Sequence, residues 1–364
     1  MAEQSSRVSR IRGNGRRRKP VTARRRAATV AAWTTAGLVL VGGVGFGYVY
    51  LKINGNIQGV DINAQLGTDR PDNVDNGSMD ILVLGSDSRA GANGTYGTDE
   101  GGARSDTAMI VHVYEGHKKA AVVSMPRDTL IDRPRCADSD GRPVEGERRA
   151  MFNTAYEVGG PACAVKTVEK ISGIRMDHYI EVDFTGFKKI IDELGGVRIT
   201  TTRAIDDEKS RLDLAPGTHT LTGEQALGLV RTRKSVGDGS DLGRIQLQQA
   251  FIKALIQQVK DVGVFSSPKK LYSLADSATK AITPDSELDS VKELIGFANG
   301  LKGLGADDVN MLTMPVEYDR TDPNRVVPLE KQSQQVWAAL KKDLPIPAAA
   351  TEDTIDGQAG GLVK

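Results

Sequence analysis

Arginine and aspartate recur together at several points of this 364-residue chain. Gly85-Ser86-Asp87-Ser88-Arg89, Arg104-Ser105-Asp106-Thr107 and Met125-Pro126-Arg127-Asp128 each supply both residue types within a few positions. Further on come Arg231-Thr232-Arg233 and Asp241-Leu242-Gly243-Arg244. A guanidinium matches phosphate oxygens two at a time and does not lose its proton. Several together would hold a diphosphate and stabilise the charge that develops on a leaving phosphate. Aspartates would repel that ligand unless a hard divalent cation lay between, and magnesium bridging carboxylate and phosphate oxygens is the usual arrangement. The chemistry these residues suggest is phosphoryl transfer or hydrolysis on a diphosphate.

Spacing strengthens the set. In extended backbone Arg231 and Arg233 point the same way, because the side-chain period is two. On a helix beginning at Asp241, the residues Asp241, Arg244 and Gln248 fall within about 60° of one another at ~100° per residue, so one face presents a carboxylate, a guanidinium and an amide. Each fragment also has a plainer reading. Asp87 and Ser88 suit a turn, Asp241 is a good N-cap, and Arg231 and Arg233 suit a helix C-terminus or surface ion pairs. The stripe Phe251, Ile252, Leu255, Ile256 reads as core rather than lipid pocket. The four histidines have no metal spacing, and there is no GxSxG, GxxxxGK[ST] or HExxH motif.

Something must position these residues. Short β-branched runs at 79–85, 107–115, 120–125, 178–184, 197–202 and 309–316 read as strands. Helical patterns fit 162–172, 185–194, 222–229, 242–262, 287–301 and 329–343. Strands interleaved with helices predict an α/β fold, a three-layer α/β/α sandwich around a central mixed sheet. The polar clusters then follow strand ends, where binding residues collect in such sheets.

The near-zero net charge hides a division. Residues 1–26 hold ten Lys or Arg and one acid, leaving 38 bases and 46 acids for the rest. Between Arg26 and Lys52 no charged residue occurs. Those 25 residues span roughly 37 Å as a helix, enough to cross a bilayer core of about 30 Å. Trp33, Tyr48 and Tyr50 lie near its ends, and the arginine-rich flank predicts a cytoplasmic N-terminus. No clean cleavage site follows, as a removed signal would require. The arginines need no nucleic-acid partner beside a membrane; anionic lipid accounts for them. The expected organisation is a basic cytoplasmic tail (1–26), a transmembrane helix (27–51), an extracytoplasmic linker (52–78), a catalytic domain (79–343) and a disordered tail (344–364). Cys136 and Cys163 both fall in the exported part, which suggests a disulfide, the alternative being two buried free thiols.

The blocks GSDSR, RSDT, SMPRDT, FNTAYEVGGPACAVKTVEKISGI, DHYIEVDFTGFKKIIDELGGV, LTGEQALGLVRTR and DLGRIQLQQ, in that order from Met79 to Val262, resemble the LytR-CpsA-Psr family of bacterial envelope proteins. That resemblance implies a membrane-anchored phosphotransferase. It would take a glycopolymer from a polyprenyl diphosphate and join it to a peptidoglycan muramic acid 6-hydroxyl through a phosphodiester. It further implies Arg89, Arg104, Arg127, Arg231, Arg233 and Arg244 as diphosphate ligands with Gln248 assisting, and Asp87 and Asp106 as Mg2+ ligands. Asp241 would position Arg244 or the metal's waters, or act as general base; Arg127, Asp241 and Arg244 are the expected catalytic residues. One departure is Met151, where family members often carry a lysine; Arg148 and Arg149 stand just upstream. The stretch 138–147 reads as an inserted loop. Two other functions stay open: a lipid-diphosphate hydrolase or protein-glycan transferase, and a non-catalytic membrane regulator that binds an anionic lipid.

Overall fold

Five of the six β-branched runs build one sheet in the computed structural model of the protein, which describes residues 43–45, 47–86, 105–138, 140–233, 241–263, 267–352, 354 and 363. Its strands are β1 (Met79–Ser86), β2 (Ser105–Val113), β3 (Ala120–Met125), β4 (His178–Asp183), β5 (Ile282–Pro284) and β6 (Val309–Thr313), in the spatial order β5-β4-β1-β2-β3-β6. Strands β1 and β4 are parallel, as are β3 and β6, while β2 runs against both of its neighbours. The sheet is therefore mixed, and β1, β3, β4 and β6 all end on the same side.

Strand alternation decides what each face buries. Leu82, Leu84, Ile110 and Val123 pack with Val165 and Val168 of α1 (Thr154–Ser172) and Val336 and Leu340 of α7 (Glu330–Lys341). Their neighbours Ile81, Met109 and Val122 turn to the other face. There they meet Ile252 and Ile256 of α4 (Asp241–Asp261) and Phe297 and Leu301 of α6 (Val291–Leu301). Helices thus flank both faces. The second is less completely covered: Val83, Val111, Ile180, Ile252, Ile256 and Phe297 are only partly buried.

A smaller cluster supports the arginines. Helices α2 (Phe184–Glu193) and α3 (Gly223–Arg231) and the strands at Val197–Thr201 and Gly217–Leu221 close over Ile191, Ile199, Leu221, Leu229, Leu247 and Phe251. The run at 197–202 is a strand as expected, but it pairs with 217–221 outside the central sheet. A capping box at Thr222 and Gln225 starts α3, which fixes where Arg231 falls at its last turn.

Several boundaries differ from the sequence reading. Helix α1 begins at Thr154 rather than 162, because the chain resumes a helical course across a break at Gly159 and Gly160 before Pro161. An added Cβ at Gly159 would lie 2.6 Å from the Ala137 carbonyl oxygen and 2.6 Å from the Cys163 Cβ, so only glycine fits beneath the disulfide. Helix α5 (Pro268–Ala281) and β5 were not legible as elements. The stretch 52–78 is not a bare spacer: Ile62 and Leu66 of a short helix enter the main core. At the other end, the chain past Asp343 stays ordered through a turn at Ala348–Ala350 that buries Ala350 completely, so the expected disorder does not hold there.

The chain divides at Leu51 into a short N-terminal unit and a large one. Residues 43–45 and 47–51 of the first are helical. Among the described residues no helix is long and apolar enough to cross a membrane. Most of the expected span, 27–42 and residue 46, lies outside them.

Candidate active site

Four strands deliver their C-terminal ends to one side of the sheet. After β3 the chain turns through Pro126–Thr129, and that turn is pinned from several directions. Thr129 N donates to the Pro126 carbonyl (3.1 Å), Phe152 N to Thr129 O (2.9 Å) and Asn153 N to Arg127 O (3.1 Å). Arg127 is therefore held on rigid backbone. After β4 comes Phe184, and α4 begins beside them with Asp241.

Asp241 is the hub. Its Oδ1 lies 2.5 Å from Arg244 Nη2 and 3.8 Å from Arg127 Nε. The same oxygen accepts from Arg233 Nη2 at 3.4 Å. Its Oδ2 accepts from the Arg127 backbone N–H at 3.2 Å. One carboxylate thus gathers three arginines from three separated stretches of chain. Its side chain is 7% exposed and that of Arg244 4%, against 22% for Arg127 and 31% for Arg233. The arginines rise from a buried base toward an open mouth.

That mouth is a cavity of about 390 Å³ shared by Arg127, Arg231, Arg233, Arg244 and Gln248. Gln248 is fixed by donating Nε2 hydrogen bonds to Thr107 Oγ1 (2.9 Å) and Val230 O (3.0 Å). The Arg231 guanidinium sits 5.2 Å from the centre of the Phe184 ring, a cation–π placement that orients it. Among the described residues cations exceed anions here: Lys209 joins the four arginines, against Asp207 in the lining and Asp241 and Asp128 paired to the arginines. The α4 N-terminus adds partial positive charge. Such a pocket can receive a compact polyanion and stabilise charge that builds on it.

Six of the expected residues, Arg127, Arg231, Arg233, Asp241, Arg244 and Gln248, therefore converge. Asp87, Arg89 and Arg104 lie outside the described residues. Asp106 is in β2, with its side chain outside the description; Thr107, next in the chain, lines the cavity. Arg149 does not take the place of the lysine expected near Met151. It pairs with Asp319 at 2.9 Å, and neither it nor Arg148 lines the cavity. Sequence reasoning missed Asp207, Lys209 and Phe184. Asp207 accepts from the Arg233 backbone N–H at 3.0 Å and so sets that arginine's height, but no motif marks it.

Among the described residues no group of three or more His, Cys, Asp or Glu could hold a metal ion. Ser86 pairs with Ser105, the residue before Asp106, at the bulged end of β1 and β2. Cys136 and Cys163 form a disulfide with Cα atoms 5.4 Å apart. It ties the small hairpin of Cys136–Ala137 and Pro143–Val144 to α1, in the stretch read as an insertion.

Comparison with known proteins bears on the family and the fold. The LytR_cpsA_psr family profile matches residues 49–342. A cell wall biosynthesis protein, LcpA of Corynebacterium glutamicum, is 31% identical over 361 residues, covering 91% of this chain and 68% of that protein. The polyisoprenyl-teichoic acid–peptidoglycan teichoic acid transferase TagT of Bacillus subtilis is 31% identical over 299 residues, covering 79% and 86%. Among solved structures, TagT bound to LI-WTA superposes with a TM-score of 0.55 at 26% identity, covering 76% of this chain and 97% of that one.

Proposed function

This chain belongs to the LytR-CpsA-Psr family, and we propose that it transfers a glycopolymer from a polyprenyl diphosphate to peptidoglycan. The observation that carries the reading is the shared cavity in which Arg127, Arg231, Arg233 and Arg244 surround one opening. In this reading the guanidinium groups bind the diphosphate and stabilise the departing lipid phosphate. Gln248 spends its amide donors on Thr107 and Val230 and so fixes the cavity wall beside the arginines. Asp241 is an organiser: both its oxygens are engaged by arginine donors, so it holds Arg127, Arg233 and Arg244 in register. Arg89 and Arg104 would complete the ligand set.

The family implies magnesium. Asp87 and Asp106 would hold it: carboxylates are the oxygen donors Mg2+ prefers, and the two follow in sequence on Ser86 and Ser105, which pair at the end of β1 and β2. Bound there, the ion would neutralise phosphate charge. Export fits the disulfide and the positive N-terminal flank of the 27–51 segment, which we read as a membrane anchor placing the domain outside the cell.

The test is reconstitution. The full chain, a polyprenyl-diphosphate-linked glycan and a peptidoglycan oligomer should give lipid monophosphate and a phosphodiester-linked product. Release that is equal with and without the oligomer would mean hydrolysis instead, and binding without turnover at any magnesium concentration would mean a regulator.

A further inference from the structure

A second and larger cavity, about 730 Å³, lies beside the first and shares Arg127 and Arg233 with it. Asp241 also lines it. Its far side comes from elements the diphosphate reading does not use. They are Asp128, the Met151–Asn153 loop, and a hairpin of Val316–Tyr318 and Val326–Pro328 that follows β6. The hairpin is fixed to the turn after β3 by a parallel bridge between Thr129 and Val326. Resting on the proposed function, we infer that this cleft binds the acceptor sugar and that Asp128 takes the proton from its hydroxyl.

Three features point to a hydroxyl-rich guest. Tyr318 is 36% exposed on the wall and offers a ring on which a sugar can stack. The Asn153 side-chain Oδ1 is buried and meets no donor, an acceptor that a sugar hydroxyl would satisfy. Asp128 lies 3.7 Å from Arg127 Nε and 3.6 Å from Arg325 Nη1, with its side chain 21% exposed. The two carboxylates at the divide between the cavities differ in kind. Asp241 is 7% exposed and held by three arginines, whereas Asp128 stands on the cleft side with looser ion pairs. A base must reach the incoming hydroxyl, and Asp128 is the carboxylate placed for that.

The step balances. The acceptor oxygen attacks the phosphorus that carries the glycan, forming a new O–P bond as the bridging P–O bond to the lipid phosphate breaks. The lipid monophosphate leaves with that electron pair. The hydroxyl proton passes to the Asp128 carboxylate, while Arg127, Arg233 and Arg325 face the same space and Asp241 stays ion-paired.

The experiment uses the full chain in detergent, with a polyprenyl-diphosphate glycan donor and a peptidoglycan oligomer as acceptor. Asp128→Asn should lower kcat about 10²-fold or more. Its donor Kd should stay within about twofold. Tyr318→Ala should raise the acceptor KM about tenfold with kcat little changed, an effect of the size expected for one lost aromatic contact. The inference is overturned if Asp128→Asn keeps its kcat, if it weakens donor binding as much as turnover, or if Tyr318→Ala raises the donor KM instead. Absence of turnover in the unaltered chain overturns the transferase reading as well, and that result is visible before any variant is compared.

Discussion

The two ends of the central sheet treat charge in opposite ways. At the end described above, one buried carboxylate serves three arginines, and among the described residues cations remain in excess around an open cavity. At the other end, the completely buried His112 ring lies between two carboxylates, 2.8 Å from Asp80 and 3.0 Å from Asp343. Burial alone would lower the His112 pKa, but the hydrogen bonds and charges of Asp80 and Asp343 outweigh it and hold the ring above its ordinary value. Asp343 also accepts from the Glu115 backbone N–H at 3.2 Å, fastening the end of α7 to the β2–β3 turn. Nearby, Arg70 donates to Glu169, Asn63 and the Met176 carbonyl, the last at 2.9 Å. That end finds its counter-charges within the protein. The arginine end leaves room for a ligand to bring them, and this contrast separates a site from a structural charge cluster.

Variants can break or sharpen the contrast. The largest effect is expected at the receiving end, where Arg244→Ala should cut transfer about 10³-fold, the scale of losing one transition-state donor. Its melting temperature should fall by only a few degrees, because Asp241 keeps Arg127 and Arg233; unfolding of this variant would make Arg244 a structural residue. Next is Cys136→Ser with Cys163→Ser, which releases the hairpin beside the Met151–Asn153 loop. Opening a 27-residue loop should cost about 3.5 kcal/mol on the chain-entropy estimate, read from a denaturant melt. At the self-satisfied end, His112→Ala strands two carboxylates and should cost about 3 kcal/mol of stability. The same variant should leave transfer per folded molecule unchanged; a parallel loss of turnover would erase the distinction between the ends.

The smallest effect is a pH dependence. The folded pKa of His112 is raised, so its stabilisation is fully present below the unfolded value and is lost as pH rises through the folded one. Thermal melts across that interval should show the wild type losing stability, while His112→Ala stays flatter. A wild type that gains stability there would contradict the assignment.

How much of this was legible in the sequence follows from local pattern against tertiary context. Short β-branched runs such as Ala120–Met125, buried along their whole length, announced their strands, and Phe187, Ile190 and Ile191 announced α2 because their spacing matches the helical period. Helix α1 was cut short in the reading because Gly159-Gly160-Pro161 is a breaker by every local rule; the disulfide and Ala137 hold the chain on course there. The stretch 52–78 looked like a linker since Ile53, Val60, Ile62, Leu66 and Arg70 enter the fold at irregular spacing, which gives no periodic signal. The arginines were visible by residue type, as few other groups bind phosphate through two fixed donors. Asp207 was not singled out, and Asp128, noticed beside Arg127, was given no role of its own, because what an aspartate supports or faces depends on chain that is distant in sequence.

The central claim is that arginines from separate stretches form one receptor for a diphosphate. Calorimetric titration of the full chain with a polyprenyl diphosphate and with the matching polyprenol tests it most directly. The wild type should bind the diphosphate saturably and far more tightly than the alcohol, and Arg231→Ala with Arg244→Ala should lose about 100-fold or more of that affinity while keeping its fold. Equal affinity for the two lipids, or an affinity unmoved by removing both arginines, would contradict the account.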